Sequence, residues 1–109
     1  MVNKKYYKPD ISKEWIRKSP FRYSFNDVHE IAYTYRFPVY KNGSFVTLEC
    51  ELTVFDKTGD VRINVYEYGT RDKYAAFYCD NYGKNIVLES VHKKINKELN
   101  KLGIIQKER

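Results

Sequence analysis

Across residues 31–54, apolar and polar positions alternate on both sides of an Asn42-Gly43 dipeptide, the pattern of a half-buried β-hairpin. Asn-Gly readily supplies the positive φ angles of a two-residue type I′ turn. With that dipeptide at the tip, Val39 faces Val46, Phe37 faces Leu48, Tyr35 faces Cys50, Tyr33 faces Leu52 and Ile31 faces Val54, all on one side. The alternate positions put Arg36 opposite Glu49 and Thr34 opposite Glu51, so the other side is polar. The expected strands cover 29–41 and 44–55. Pro38 has no N–H to donate, which puts the first of them at a sheet edge.

The turn residues Asp56, Lys57, Thr58 and Gly59 lead into a third strand. A four-residue loop pairs Val54 with Val61, Leu52 with Ile63 and Cys50 with Val65, which carries the apolar face onward; a three-residue loop would turn Arg62 and Asn64 towards it. Residues 74–79 read as a short fourth strand ending in the turn-rich 80–83 segment. Beyond it Leu88, Val91, Ile95, Leu99 and Leu102 recur at helical spacing, Gly103 is placed to end the helix, and Ile104 can reach back to Leu99. Near the start, Asp10 or Ser12 can cap a short helix to Lys18 that carries Ile11, Trp15 and Ile16 on one side, with Pro20 limiting it. Phe21, Tyr23 and Phe25 then form an extended apolar strip that packs against the sheet.

The expected fold is α+β: an antiparallel three- to four-stranded meander in the order 1-2-3-4, a C-terminal amphipathic helix on one face, and a short N-terminal helix or extended strip. A length of 109 residues predicts one domain spanning 1–109, with 1–9 as a flexible basic arm and 103–109 as a frayed tail. The α-β-β-β-α order resembles the double-stranded-RNA-binding fold in outline. Its long hairpin strands, and the lack of a lysine cluster where the last helix begins, depart from that pattern, so the function is not carried over.

The net charge of +6 is unevenly spread. Residues 1–28 carry seven Lys or Arg against three acids, residues 84–109 seven against three, and residues 29–83 six against eight. Any surface for a polyanion therefore belongs to the two ends of the chain. The expected contacts are Lys93, Lys94, Lys97, Asn100 and Lys101 on the last helix, with Lys4, Lys5, Lys8, Arg17, Lys18 and Arg22 from the N-terminal segment. On the polar side of the sheet Tyr66, Tyr68, Tyr40 and Arg62 are placed to stack unpaired bases or to contact a protein partner. The alternative is that the 15–25 segment covers that side as a second small core.

Chemistry beyond binding has little to build on. His29, His92, Cys50 and Cys79 lack the spacing of a metal site, there is no nucleophile elbow, and the five glycines form no phosphate loop. Neither a metal nor a cofactor is expected. Both cysteines read as reduced, buried thiols. Glu49 and Glu51 share a strand face as an acid/base pair would, but cross-strand pairing with Arg36 and Asn64 accounts for them. An enzyme would have to assemble Glu49, Glu51, His92 or Cys79 in space.

No run approaches the about 18 apolar residues of a membrane span, and the start of the chain has no apolar targeting core. A cytoplasmic protein that does not touch membranes is expected. The leading expectation is a small non-enzymatic binding protein that docks on nucleic acid or a nucleoprotein. The alternative is a protein-protein module or inhibitor, of the accessory kind found in phages and mobile elements that blocks a host nuclease or its nucleic-acid complex. Oligomeric state is not legible.

Overall fold

The computed structural model describes residues 4–26, 31–79 and 85–107. In chain order they form β1 (Tyr6–Tyr7), α1 (Lys13–Lys18), β2 (Arg22–Asn26), β3 (Ile31–Asn42), β4 (Phe45–Phe55), β5 (Asp60–Glu67), a short 3-10 helix (Ala75–Tyr78), α2 (Ile86–Leu102) and β6 (Ile105–Gln106). The strands make one antiparallel sheet in the order β2-β3-β4-β5-β1-β6. Helix α2 packs on one face of it, with Val91, Ile95 and Leu99 buried in the same cluster as Phe37, Cys50, Leu52, Val54 and Val65. Each such side chain contributes about 1.5–3 kcal/mol by leaving water.

The meander of three to four strands is thereby corrected to a sheet of six. The apolar strip after Pro20 is itself strand β2, paired with β3 at Arg22↔Thr34 and Tyr23↔Tyr33. Tyr6–Tyr7, expected in an arm, and Ile105–Gln106, expected in a tail, are strands β1 and β6 at the opposite edge. The expected fourth strand at 74–79 is instead mainly the 3-10 helix. That segment serves the edge of β5 without extending the ladder: the Tyr74 N–H donates to the Val65 carbonyl at 2.9 Å, and the Tyr78 hydroxyl accepts the Val65 N–H at 3.0 Å and donates to Asn64 Oδ1 at 3.0 Å. The 80–83 turn, the 1–3 start of the arm, the 108–109 end of the tail and His29 lie outside the described residues.

The β4–β5 register is the expected one, with Val54↔Val61, Leu52↔Ile63 and Cys50↔Val65. The β3–β4 register is displaced by two residues: Phe37 pairs with Cys50, Tyr35 with Leu52 and Tyr33 with Val54. The cause is at the tip, where Asn42 pairs with Phe45 and the turn is Gly43-Ser44, with Gly43 at φ +64°. Because side chains alternate with period two, an even displacement keeps every residue of the regular ladder on its expected face. It does change partners, so Arg36 faces Glu51 rather than Glu49. Beyond Pro38 the alternation is broken, since Val39 bulges out of β3 and Thr47 out of β4; Val39 stays buried in the core, and Tyr40 after it packs there too. Strand β2 pairs with β3 only along Ile31–Thr34, so on the side away from β4 no described strand covers Pro38.

At the N-terminus Ser12 caps α1, accepting the Trp15 N–H at 3.1 Å. Trp15 and Phe21 lie 5.6 Å apart and Phe21 and Tyr35 5.8 Å apart, between ring centres, on the apolar side of the sheet. Residues 15–21 therefore extend the main core and do not cover the polar side.

Candidate nucleic-acid interface

Helix α2 carries most of the candidate surface. Asn85 caps its start by accepting the Leu88 N–H at 3.1 Å. Gly103, at φ +74°, ends it while the N–H groups of Gly103 and Ile104 donate to the Asn100 and Leu99 carbonyls at 3.2 and 2.9 Å. With Val91, Ile95 and Leu99 turned to the core, Lys93, Lys94, Lys97, Asn100 and Lys101 are all exposed. A turn of about 100° per residue steps Lys93, Lys97 and Lys101 round the outer surface in sequence. The nearby acid Glu98 is engaged elsewhere, accepting the Tyr35 hydroxyl at 2.9 Å. Burial, aided by Glu98, pushes that phenol up to about 12.

Strands β1 and β6 bring the two ends of the chain together beside this helix. Tyr6 pairs with Gln106 and Tyr7 with Ile105, and the Lys107 N–H donates to the Lys5 carbonyl at 2.6 Å. On its other side β1 is held by Tyr6↔Val61 and by the Lys8 N–H donating to the Gly59 carbonyl at 2.8 Å. Gly59 sits at φ +77°, and a Cβ there would come within 2.7 Å of the Lys8 carbonyl oxygen, so glycine permits this docking. Lys4, Lys5 and Lys107 are exposed at these ends, Lys107 pairing with Asp60 at 3.1 Å.

Between α2 and the β1–β6 pair lies an open cleft of about 460 Å³. Tyr6, Leu99 and Ile104 form its apolar part. Its polar wall is built from Lys4, His92, Asn96, Asn100 and Gln106. His92, Asn96 and Asn100 follow one another at four-residue intervals and so share a helix face. The His92 ring meets Phe77 edge-on at 5.7 Å, and its Nε2 is buried without a hydrogen-bond partner among the described residues. Burial, with the Lys4 charge nearby, lowers its pKa, so the imidazole is neutral at pH 7.

The remaining expected contacts are dispersed or occupied. Lys8 donates to the Pro9 carbonyl at 3.1 Å and lies 5.0 Å over the Trp15 ring. Lys18 pairs with Glu14 at 3.0 Å, Arg22 donates to the Ser19 and Phe21 carbonyls, and Arg17 is exposed on α1. Of the stacking group, Arg62 and half-buried Tyr66 share the polar side of β5, and Arg62 lies 5.2 Å over Phe55. Tyr68 is exposed beyond the strand end. Tyr40 does not belong with them: the Val39 bulge pairs it with buried Leu48 and packs it against the core.

Of the residues that would have to meet in an enzyme, Glu49 and Glu51 lie on the opposite side of the sheet from His92. Glu51 accepts Arg36 Nη2 at 2.7 Å and Nε at 2.9 Å on the polar side of the sheet, the side that also carries Glu49. His92 is on α2, across the sheet from both. Cys50 is buried as expected, whereas Cys79 is exposed, since the 3-10 helix ends just before it instead of continuing as a strand. Among the described residues no three His, Cys, Asp or Glu side chains converge as metal ligands would. The cleft residues Asn96 and Gln106 were missed by sequence pattern. The His92-Asn96-Asn100 spacing was a signal for part of it, but nothing in a polar C-terminal tail points Gln106 at the same place.

No family model matches the sequence, and no curated protein does. Among solved structures, the fold is similar to that of a DUF1831 family protein from Lactobacillus plantarum, with a TM-score of 0.58 at 10% sequence identity, over 96% of this chain and 89% of that one. The likeness is one of fold.

Proposed function

We propose that this chain is a small non-enzymatic binding protein of the cytoplasm that docks on nucleic acid or a nucleoprotein through the exposed lysines of α2 and the adjoining chain ends. The observation that carries this reading is the pairing of β1 with β6, which sets Lys4 and Lys5 beside the C-terminal segment whose helix presents Lys93, Lys94, Lys97 and Lys101. Lys4, remote in sequence from α2, thus lies in the same cleft as Asn96 and Asn100 of that helix, and such local clustering of charge supports contact with a phosphate backbone. Arg17, Lys18, Arg22 and Lys8 are secondary to this surface, because three of the four are engaged within the fold. No helix among the described residues is long and apolar enough to cross a membrane.

Fluorescence anisotropy with single- and double-stranded oligonucleotides tests the reading. Affinity is expected at low salt and to fall linearly on a log-log plot against salt. On single strands the slope is about 0.7 per phosphate neutralised, so removing one contacting lysine reduces it by about that amount. Undetectable binding at low salt, or binding indifferent to salt, overturns the proposal.

A second reading is a protein-protein module or inhibitor. It is favoured by the outer edge of β3 beyond Thr34, which no described strand pairs on the side away from β4, and by exposed Phe45 (77%) and Tyr68 (55%) near that end of the sheet. Recovery of a stoichiometric partner with the tagged protein, lost on Phe45→Ser substitution, supports it; no partner at all argues against it.

A further inference from the structure

We infer that the cleft between α2 and the β1–β6 pair is a nucleobase subsite that receives one unpaired base of a single-stranded nucleic acid. It deepens the polyanion reading above and rests on it. Its volume of about 460 Å³ lies within the roughly 300–1,000 Å³ of small-molecule sites. Its chemistry is that of a heterocycle rather than of an anion. Asn96, Asn100 and Gln106 each present an amide donor and an amide acceptor, the complement of a base edge. Ile105, 46% exposed, offers an apolar surface against which a planar ring can lie, backed by buried Leu99 and Ile104.

His92 lines the same wall, and among the described residues its buried Nε2 has no hydrogen-bond partner, although buried polar atoms are nearly always paired. A neutral imidazole carries one donor and one acceptor, and a ring rotation that uncovers Nε2 lets a ring nitrogen or exocyclic group of a base pair with it. A bare phosphate is a poorer occupant, since among the described residues Lys4 is the only cation lining the cleft. Around the cleft the balance reverses. Lys93 and Lys97 follow His92 and Asn96 by one residue each, about 100° further round the helix. The base enters the neutral interior while its sugar-phosphate backbone runs along the basic rim.

Two labelled decamers of equal charge separate the subsite from the surface around it: one single-stranded and of mixed sequence containing all four bases, the other fully abasic. Wild-type protein is expected to bind the base-containing strand about tenfold more tightly or better, the range given by stacking and bidentate base contacts. Asn96→Ala/Gln106→Ala is expected to erase that preference and leave abasic affinity unchanged. Lys93→Ala/Lys97→Ala is expected to weaken both strands alike. In NMR, the His92 ring signals are expected to move on adding the base-containing strand and not the abasic one. Equal, salt-sensitive affinity for both decamers overturns the base subsite and leaves the polyanion reading standing. Absence of binding to either overturns both.

Discussion

The β3–β4 hairpin and the β1–β6 pair are opposite solutions to the same problem of pairing two strands. In the hairpin, strands of 12 and 11 residues are joined by a tight turn, and Cys50, Leu52 and Val54 on its inner face are wholly buried. Little chain entropy is spent in bringing its sides together. Strands β1 and β6 have two residues each and are separated by almost the whole chain, so their pairing closes a very long loop for very few hydrogen bonds. The contrast teaches that the most strongly specified part of this molecule is its scaffold. The proposed working surface sits where the pairing is shortest.

The largest effect should come from breaking the hairpin's buried face. Leu52→Ala removes a fully buried side chain at the centre of the sheet and is expected to cost about 2–5 kcal/mol in urea unfolding, with every region losing protection together. Gly59→Ala attacks the other side of the comparison. A Cβ at φ +77°, 2.7 Å from a backbone oxygen, is expected to cost about 1–3 kcal/mol. Its signature in hydrogen exchange should be local, with the Lys8 and Lys107 amides exchanging faster while β3 and β4 stay protected. Uniform loss of protection would show that the two regions are not separable.

A pH-gated effect links the hairpin to α2. Tyr35 has its pKa pushed up to about 12 by burial and by its bond to Glu98, against about 10 in an unfolded chain. The protonated phenol therefore stabilises the fold fully below about pH 10, and this contribution is lost as pH rises towards about 12. Urea midpoints measured across that window should fall less steeply for Tyr35→Phe than for wild type; parallel slopes would contradict the Tyr35-Glu98 coupling. The smallest effect belongs to the polar side of the hairpin. Arg36→Ala breaks a pair whose arginine is 56% exposed, and should cost about 0.5–1 kcal/mol.

How much was legible follows from how each element repeats. The faces of β3, β4 and β5 survived a two-residue error in hairpin register because an even slip leaves period-two alternation intact. Tyr40 was misplaced because the bulge at Val39 leaves no mark in composition, yet it turns every later residue of the strand. Helix α2, its Gly103 cap and its lysines were readable from spacing alone. The candidate cleft was readable only in part, through His92, Asn96 and Asn100 on one helix face.

By itself, then, the sequence determined the elements that carry their own periodicity or their own cap: the hairpin faces, the β4–β5 register, α1 behind Ser12, and α2 up to Gly103. Tertiary structure alone decided where the ends of the chain go. A two-residue strand contains no period to detect, and its partner is chosen by an edge that exists only once β5 and α2 have folded. Glycine at position 59 lets β1 approach β5, β6 pairs with β1, and the cleft lined by Lys4, His92, Asn96 and Gln106 comes into being as a consequence.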